Sequence, residues 1–146
     1  MRPRRRSSGG DRLILDRRLA DEMFGHARTE LPNEACGILA GDGGKPIRFF
    51  PANNAERSPT RYVVDPQDQL RILNELHTRD WDLLGIFHSH THTQAYPSST
   101  DVSLAANWPE AYYLIASLMA EPPVLRAFRI VEGKIEEEEI AYRDDA

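Results

Sequence analysis

The stretch from Trp81 to His90, Trp-Asp-Leu-Leu-Gly-Ile-Phe-His-Ser-His, is the most strand-like in the chain and constrains its architecture most. A strand needs neighbours for its backbone bonds and other elements to cover its faces. Several segments supply neighbours. Arg12 to Leu15 alternates as a short strand. Glu34 to Ala40 reads as a buried strand ending at the turn Gly41-Asp42-Gly43-Gly44, with Ile47 to Phe50 as its hairpin partner. Arg61 to Val64 is a further short strand. Ala111 to Leu118, Val124 to Val131 and Lys134 to Ile140 follow, the last two joined at Glu132-Gly133 in hairpin fashion. Three helices are expected. Asp16 to Glu30 puts Leu19, Met23 and Ala27 on one face, with Asp16 to cap it. Pro66 opens a second helix whose Leu70, Leu73 and His77 share a face, and a third runs from Ser98 to about Ala106. The order β-α-β-β-β-α-β-α-β-β-β predicts a mixed β-sheet flanked by helices, an α+β or three-layer α/β domain.

At 146 residues the chain fits one domain and is long enough to close a core without disulfides. We divide it into a disordered basic tail over 1–10 and a single catalytic domain over 11–146. The tail, MRPRRRSSGG, has four arginines, and no apolar stretch follows that could act as the core of a signal peptide. No apolar run reaches bilayer-spanning length, so the expected location is the cytoplasm, away from membranes. A single cysteine, Cys36, excludes an internal disulfide and fits a reducing compartment. The net charge of -5 becomes about -9 without the tail's arginines, a balance that disfavours nucleic-acid binding by the folded body.

The chemistry-bearing residues gather in Phe87 to Asp101, FHSHTHTQAYPSSTD. Side chains two apart on a strand share a side, so His88 and His90 project into one space while Ser89 faces away. Two imidazoles aimed alike make half of a tetrahedral zinc site, and Asp101, in the first turn of the next helix, is placed to fold back as a third ligand. Three protein ligands leave a position for water, the arrangement of a catalytic zinc. Zinc lowers the pKa of bound water to about 7, and a neighbouring carboxylate then takes the proton. Glu34, heading the run Glu-Ala-Cys-Gly-Ile-Leu-Ala-Gly, is the candidate base; composition alone would sooner make it an exposed carboxylate at a strand edge. Cys36 as a nucleophile competes poorly with Cys36 as a buried small hydrophobe. His26 and His77 read as boundary residues of packed helix faces, and the run Glu136 to Glu139 as a solvated strand guarding a sheet edge. The signatures His-Glu-x-x-His and Pro-Cys-x-x-Cys are absent.

Together, Glu34-x-Cys36-Gly37, then His88-x-His90, seven residues, Ser98, two residues and Asp101 resembles the JAMM motif of the MPN-domain metalloproteases. Pro32 to Gly41, Asn54 to Pro59, His88 to Thr91 and Ala95 to Ser98 look most like the small bacterial Mec-type members. The resemblance implies an MPN (JAMM, cytidine-deaminase-like) fold. It also implies one zinc ion per chain with a catalytic water, held by His88, His90 and Asp101, Glu34 as general acid/base, and Ser98 as hydrogen-bond donor to the tetrahedral intermediate. A donor held near the metal suits a developing oxyanion, although Ser98 also fits a helix N-cap, a task for which Ser99 competes. The chain departs from many relatives in having Thr91 after the second histidine and an extra His92, read as a solvated loop residue. The implied substrate is the bond after the C-terminal Gly-Gly of a ubiquitin-like sulfur-carrier protein, with release of a C-terminal amino acid, typically cysteine, in cysteine or sulfur-metabolite biosynthesis. An extended tail of that kind is suited to add as a strand beside an exposed sheet edge. The alternatives are a generic JAMM isopeptidase with another substrate and a non-catalytic MPN scaffold. The scaffold would be expected to lack ligands that are present here. A homodimer is left open.

Overall fold

The computed structural model describes residues 12–144, so the stretch 1–10 read as a tail lies outside the described residues. Within them are seven strands, β1 (Arg12–Asp16), β2 (Cys36–Asp42), β3 (Lys45–Ala52), β4 (Asp82–His90), β5 (Tyr112–Ser117), β6 (Val124–Val131) and β7 (Lys134–Arg143). The helices are α1 (Arg17–Thr29), α2 (Pro66–Arg79) and α3 (Ser99–Leu104), the last continued by a 3-10 turn, Ala105–Asn107. The strands form one mixed sheet in the order β1-β7-β6-β5-β4-β2-β3. β1 lies parallel to β7 and β4 parallel to β5, while the remaining neighbours are antiparallel. None of the described helices is long and apolar enough to cross a membrane.

β4 is bonded on both sides and all nine of its residues are buried, as its unbroken apolar run requires. One irregularity decides which way its end points. Against β2 the register passes from Leu39–Gly85 to Ala40–Leu83, leaving Leu84 as an extra residue on β4. Leu84 and Phe87 therefore share the face packed by α1 and β1, with Leu19, Met23 and Leu39, whereas Leu83 and Ile86 share the other, with Ile72 and Leu76 of α2 and Tyr113. The result is a three-layer domain. Beyond the bulge, the alternation carries His88 and His90 out on the α2 and α3 side with Ile86. The close meeting of β2 and β3 needs a glycine: a Cβ on Gly37 would stand 2.5 Å from the Phe50 carbonyl oxygen and 2.6 Å from the Phe49 ring.

Several expectations are corrected. Asp16 occupies the N-cap of α1 but makes no capping hydrogen bond. Its carboxylate instead accepts from Arg143 Nε at 2.9 Å, which holds its pKa below the usual range. On α2 the buried residues are Ile72 and Leu76, while Leu70 is 62% exposed and His77 exposed. Asp65 caps that helix by accepting from Asp68 N at 3.1 Å. Arg61 to Val64 makes only an isolated bridge, Asn54 to Val64, because Asn54's side chain takes the bonds a ladder would use. The glutamate run of β7 keeps part of its expected place: Glu136, Glu137 and Glu138 pair with β6, and among the described residues none pairs with them on the other side, where β1 begins only opposite Glu139.

Candidate metal centre

Three buried donors meet at the C-terminal end of β4. His88 Nε2 lies 3.1 Å from His90 Nε2, and Asp101 Oδ2 lies 3.1 Å from the first and 3.2 Å from the second. Donors around a tetrahedral zinc at about 2.0–2.1 Å stand about 3.3 Å from one another, so the triangle matches one face of such a site to within a few tenths of an ångström. His90 Nδ1 donates to the Gln94 carbonyl at 2.7 Å; as a carbonyl only accepts, the proton is fixed on Nδ1 and the Nε2 lone pair is left to a metal. Burial pulls the His88 pKa down and favours the neutral imidazole that a metal needs. For His90 burial also acts downward, but Asp101 and Gln94 outweigh it and the net shift is upward. Burial raises the Asp101 pKa, yet its bonds to His88 and His90 and the Ser98 N–H prevail and hold the carboxyl well below the usual range. The group is thus a compact anion-and-imidazole donor set of the kind that holds a divalent transition metal.

Asp101 reaches the histidines because α3 starts where it does. Ser98 Oγ accepts from Asp101 N at 3.1 Å and Ser98 N donates to Asp101 Oδ2 at 2.9 Å, a reciprocal capping box. Ser98, not Ser99, is therefore the cap, and since Oγ accepts, its hydroxyl proton stays available to donate. Glu34 precedes β2 and is not the exposed carboxylate that composition favours: it is 5% exposed. Burial raises its pKa to about 7, with His90 acting to lower it and Asp101 to raise it. The backbone here is pinned on three sides. Ser58 O accepts from Glu34 N at 2.8 Å, Glu34 O accepts from Asn54 Nδ2 at 3.1 Å, and Ser89 Oγ accepts from Ala35 N at 2.8 Å.

The sequence reading missed three of these supports. Ser89, set aside as facing away, is the tie between the Glu34 segment and the strand that carries the histidines. Asn54 also bonds Arg61 O, Glu56 N and Val63 N, shaping the loop over the site. Tyr62 on that loop stacks on His88, centroids 4.4 Å apart at 16°. The segment Asn54 to Pro59 stood out only by likeness, and Tyr62 carried no local signal. His92 is exposed, beyond the end of β4, and outside the donor group. Thr91 donates to Pro59 O at 3.1 Å. Cys36 is buried, its thiol pushed up to about 12, which bears out the inert reading. Half-buried His26 donates from Nε2 to the carbonyls of Cys36 at 3.0 Å and Ala52 at 3.1 Å, tying α1 to β2 and β3.

Residues 16–131, which include every donor just described, match the family described as prokaryotic homologs of the JAB domain. The chain belongs to this prokaryotic JAB family. The JAMM/MPN resemblance is thereby borne out, and with it the assignment to hydrolases acting on peptide bonds. This JAB-family chain is 44% identical over 131 residues to the CysO-cysteine peptidase of Mycobacterium tuberculosis, covering 88% of the chain and 89% of the relative. It is 34% identical over 113 residues to a desampylase of Haloferax volcanii, covering 73% and 81%. The solution structure of a Desulfitobacterium hafniense protein superposes with a TM-score of 0.82 at 40% identity, over 91% of this chain and 94% of that one.

Proposed function

We propose that this chain is a zinc-dependent peptidase that hydrolyses the amide bond after the C-terminal Gly-Gly of a ubiquitin-like sulfur-carrier protein, releasing a C-terminal amino acid, cysteine in the first instance. The observation that carries the reading is the buried triangle of His88, His90 and Asp101. The likeness to a CysO-cysteine peptidase along most of the chain supports the substrate class. His88, His90 and Asp101 would hold the ion. Bound zinc would polarise the scissile carbonyl and lower the pKa of a water beside it.

Glu34, its carboxyl poised near neutrality, takes the proton of the attacking water and delivers it to the departing amine. The Ser98 hydroxyl, its oxygen already accepting from Asp101 N, points its proton at the oxyanion of the tetrahedral intermediate. The carrier's tail does not add beside β4, both of whose edges are taken. The catalytic unit is the stretch 11–146, acting in the cytoplasm in cysteine or other sulfur-metabolite biosynthesis.

The test measures zinc content together with hydrolysis of a Gly-Gly-ending carrier extended by one cysteine, in wild type, Glu34→Gln and His88→Ala. Stoichiometric zinc and cleavage are expected in wild type, zinc without cleavage in Glu34→Gln, and neither in His88→Ala. Wild type that holds zinc and spares this substrate would turn the reading toward an isopeptidase for other conjugates. Protein that takes up no zinc on titration would overturn it.

A further inference from the structure

The terminal torsion of a histidine is broad, and a rotation about Cβ–Cγ would swing Nε2 of either His88 or His90 out of the donor triangle. A metal-binding imidazole is ordinarily locked against that rotation by giving its other N–H to a carbonyl or carboxylate. His90 follows the pattern, with Nδ1 donating to the Gln94 carbonyl at 2.7 Å. His88 does not. Its Nε2 faces His90 and Asp101, so a bound metal leaves the proton on Nδ1. That Nδ1 is buried, and among the described residues no hydrogen-bond partner meets it.

What meets His88 instead is a flat face. The Tyr62 ring lies against it with centroids 4.4 Å apart and planes within 16°, whereas the His90 ring, 4.9 Å away, is tilted by 59°. A near-parallel ring at that distance blocks rotation, because turning the imidazole about Cβ–Cγ drives one of its edges into the tyrosine. Tyr62, 6% exposed, sits on the loop between β3 and α2, outside any strand, and is itself held. Arg61 O accepts from Asn54 Nδ2 at 2.9 Å and Val63 N donates to Asn54 Oδ1 at 3.0 Å, so one buried amide grips the backbone on both sides of it. The same Nδ2 donates to Glu34 O at 3.1 Å, which sets the tyrosine and the proposed base from a single side chain.

We propose that Tyr62 is a positioning residue for the metal centre: its ring face, clamped by Asn54, does for His88 what the Gln94 carbonyl does for His90. This role rests on the metal reading of the triangle and assigns Tyr62 no step in hydrolysis. Two variants of the full chain separate it from simple core packing. Tyr62→Phe keeps the face, and Tyr62→Leu puts a flexible aliphatic group in its place. For each, the zinc dissociation constant is measured by chelator competition, the visible absorption is recorded with cobalt(II) in place of zinc, and the metal-free protein is unfolded in urea. Tyr62→Phe should match wild type in affinity and spectrum, while Tyr62→Leu should bind zinc about 10–100-fold more weakly and give shifted cobalt bands. A Tyr62→Leu protein that loses stability without metal yet binds zinc and cobalt as wild type does would reduce Tyr62 to packing and overturn the role. Should Tyr62→Leu fail to fold, NMR of the histidine rings in chelator-treated wild type decides. The His88 ring protons should be moved upfield by the tyrosine ring current and the ring should be as rigid as that of His90; a His88 ring as mobile as that of exposed His92 would overturn the role. Wild type that takes up neither ion would sink the metal reading, and this role with it.

Discussion

A carboxyl group that water cannot reach keeps its proton to higher pH, and Glu34, 5% exposed, has its pKa raised to about 7 from an ordinary 4.5. In metal-free protein the folded state then holds this proton between pH 4.5 and 7 while the unfolded chain releases it. The folded state binds more protons over that window, so its stability falls as pH rises through it. Glu34→Gln has no such titration. Denaturant unfolding of chelator-treated protein should show wild type losing roughly 3 kcal/mol relative to the variant between pH 4 and pH 8, and a difference that does not change with pH would mean that Glu34 is solvated. The thiol of Cys36 experiences the same burial to a different end. Pushed up to about 12, it is a thiol and not a thiolate at pH 8, so alkylation should be negligible in the folded chain and prompt in denaturant.

At the scale of elements, the six-residue helix α3 exists to aim Asp101, and its capping box uses the same carboxylate oxygen that meets the two histidines. Capping by Ser98 and the catalytic role proposed for it can be separated, because glycine at an N-cap costs only a few tenths of a kcal/mol while removing the hydroxyl. Ser98→Gly should lower kcat by about 10²–10³ with little change in unfolding midpoint; an equal fall in stability would assign Ser98 to the cap alone. Gly37→Ala should act through packing, since the new methyl meets the backbone oxygen of Phe50, and a loss of about 1–3 kcal/mol in urea unfolding is expected. These local devices were legible in the sequence to different degrees. The β6 and β7 hairpin was readable because Glu132 and Gly133 take the positive φ values, 51° and 78°, that such a turn demands. The histidine pair was readable from strand period. Arg61 to Val64 was misread as a strand because its bonding is set by Asn54, several residues away, and Tyr62 could not be placed over His88 by any local rule.

Across the whole molecule, the donors come from one strand end and one short helix, and β4 and α3 are joined by eight residues of loop, 91–98 with its cap included, rather than by a shared ladder. What sequence period cannot supply is the bulge at Leu84, which sets the face on which the histidines emerge and so brings them to the side where α3 and the loop 53–65 close over them. An ion bound by this triangle would tie that loop-borne half to the sheet, and would bind the native state alone, because the unfolded chain does not hold His88, His90 and Asp101 within 3.2 Å of one another. Linkage then requires stabilisation by zinc: at a free concentration one hundred times its dissociation constant, about 2.7 kcal/mol, which for a chain of this size corresponds to a rise of roughly 5–10 °C in Tm. Differential scanning calorimetry should show that rise in wild type and in Glu34→Gln alike, since the substitution touches none of the three donors, and should show none in Asp101→Asn titrated over the same range. A shift that survived Asp101→Asn would place the stabilising metal somewhere other than this centre, and one that vanished in Glu34→Gln would make Glu34 a ligand instead of a base.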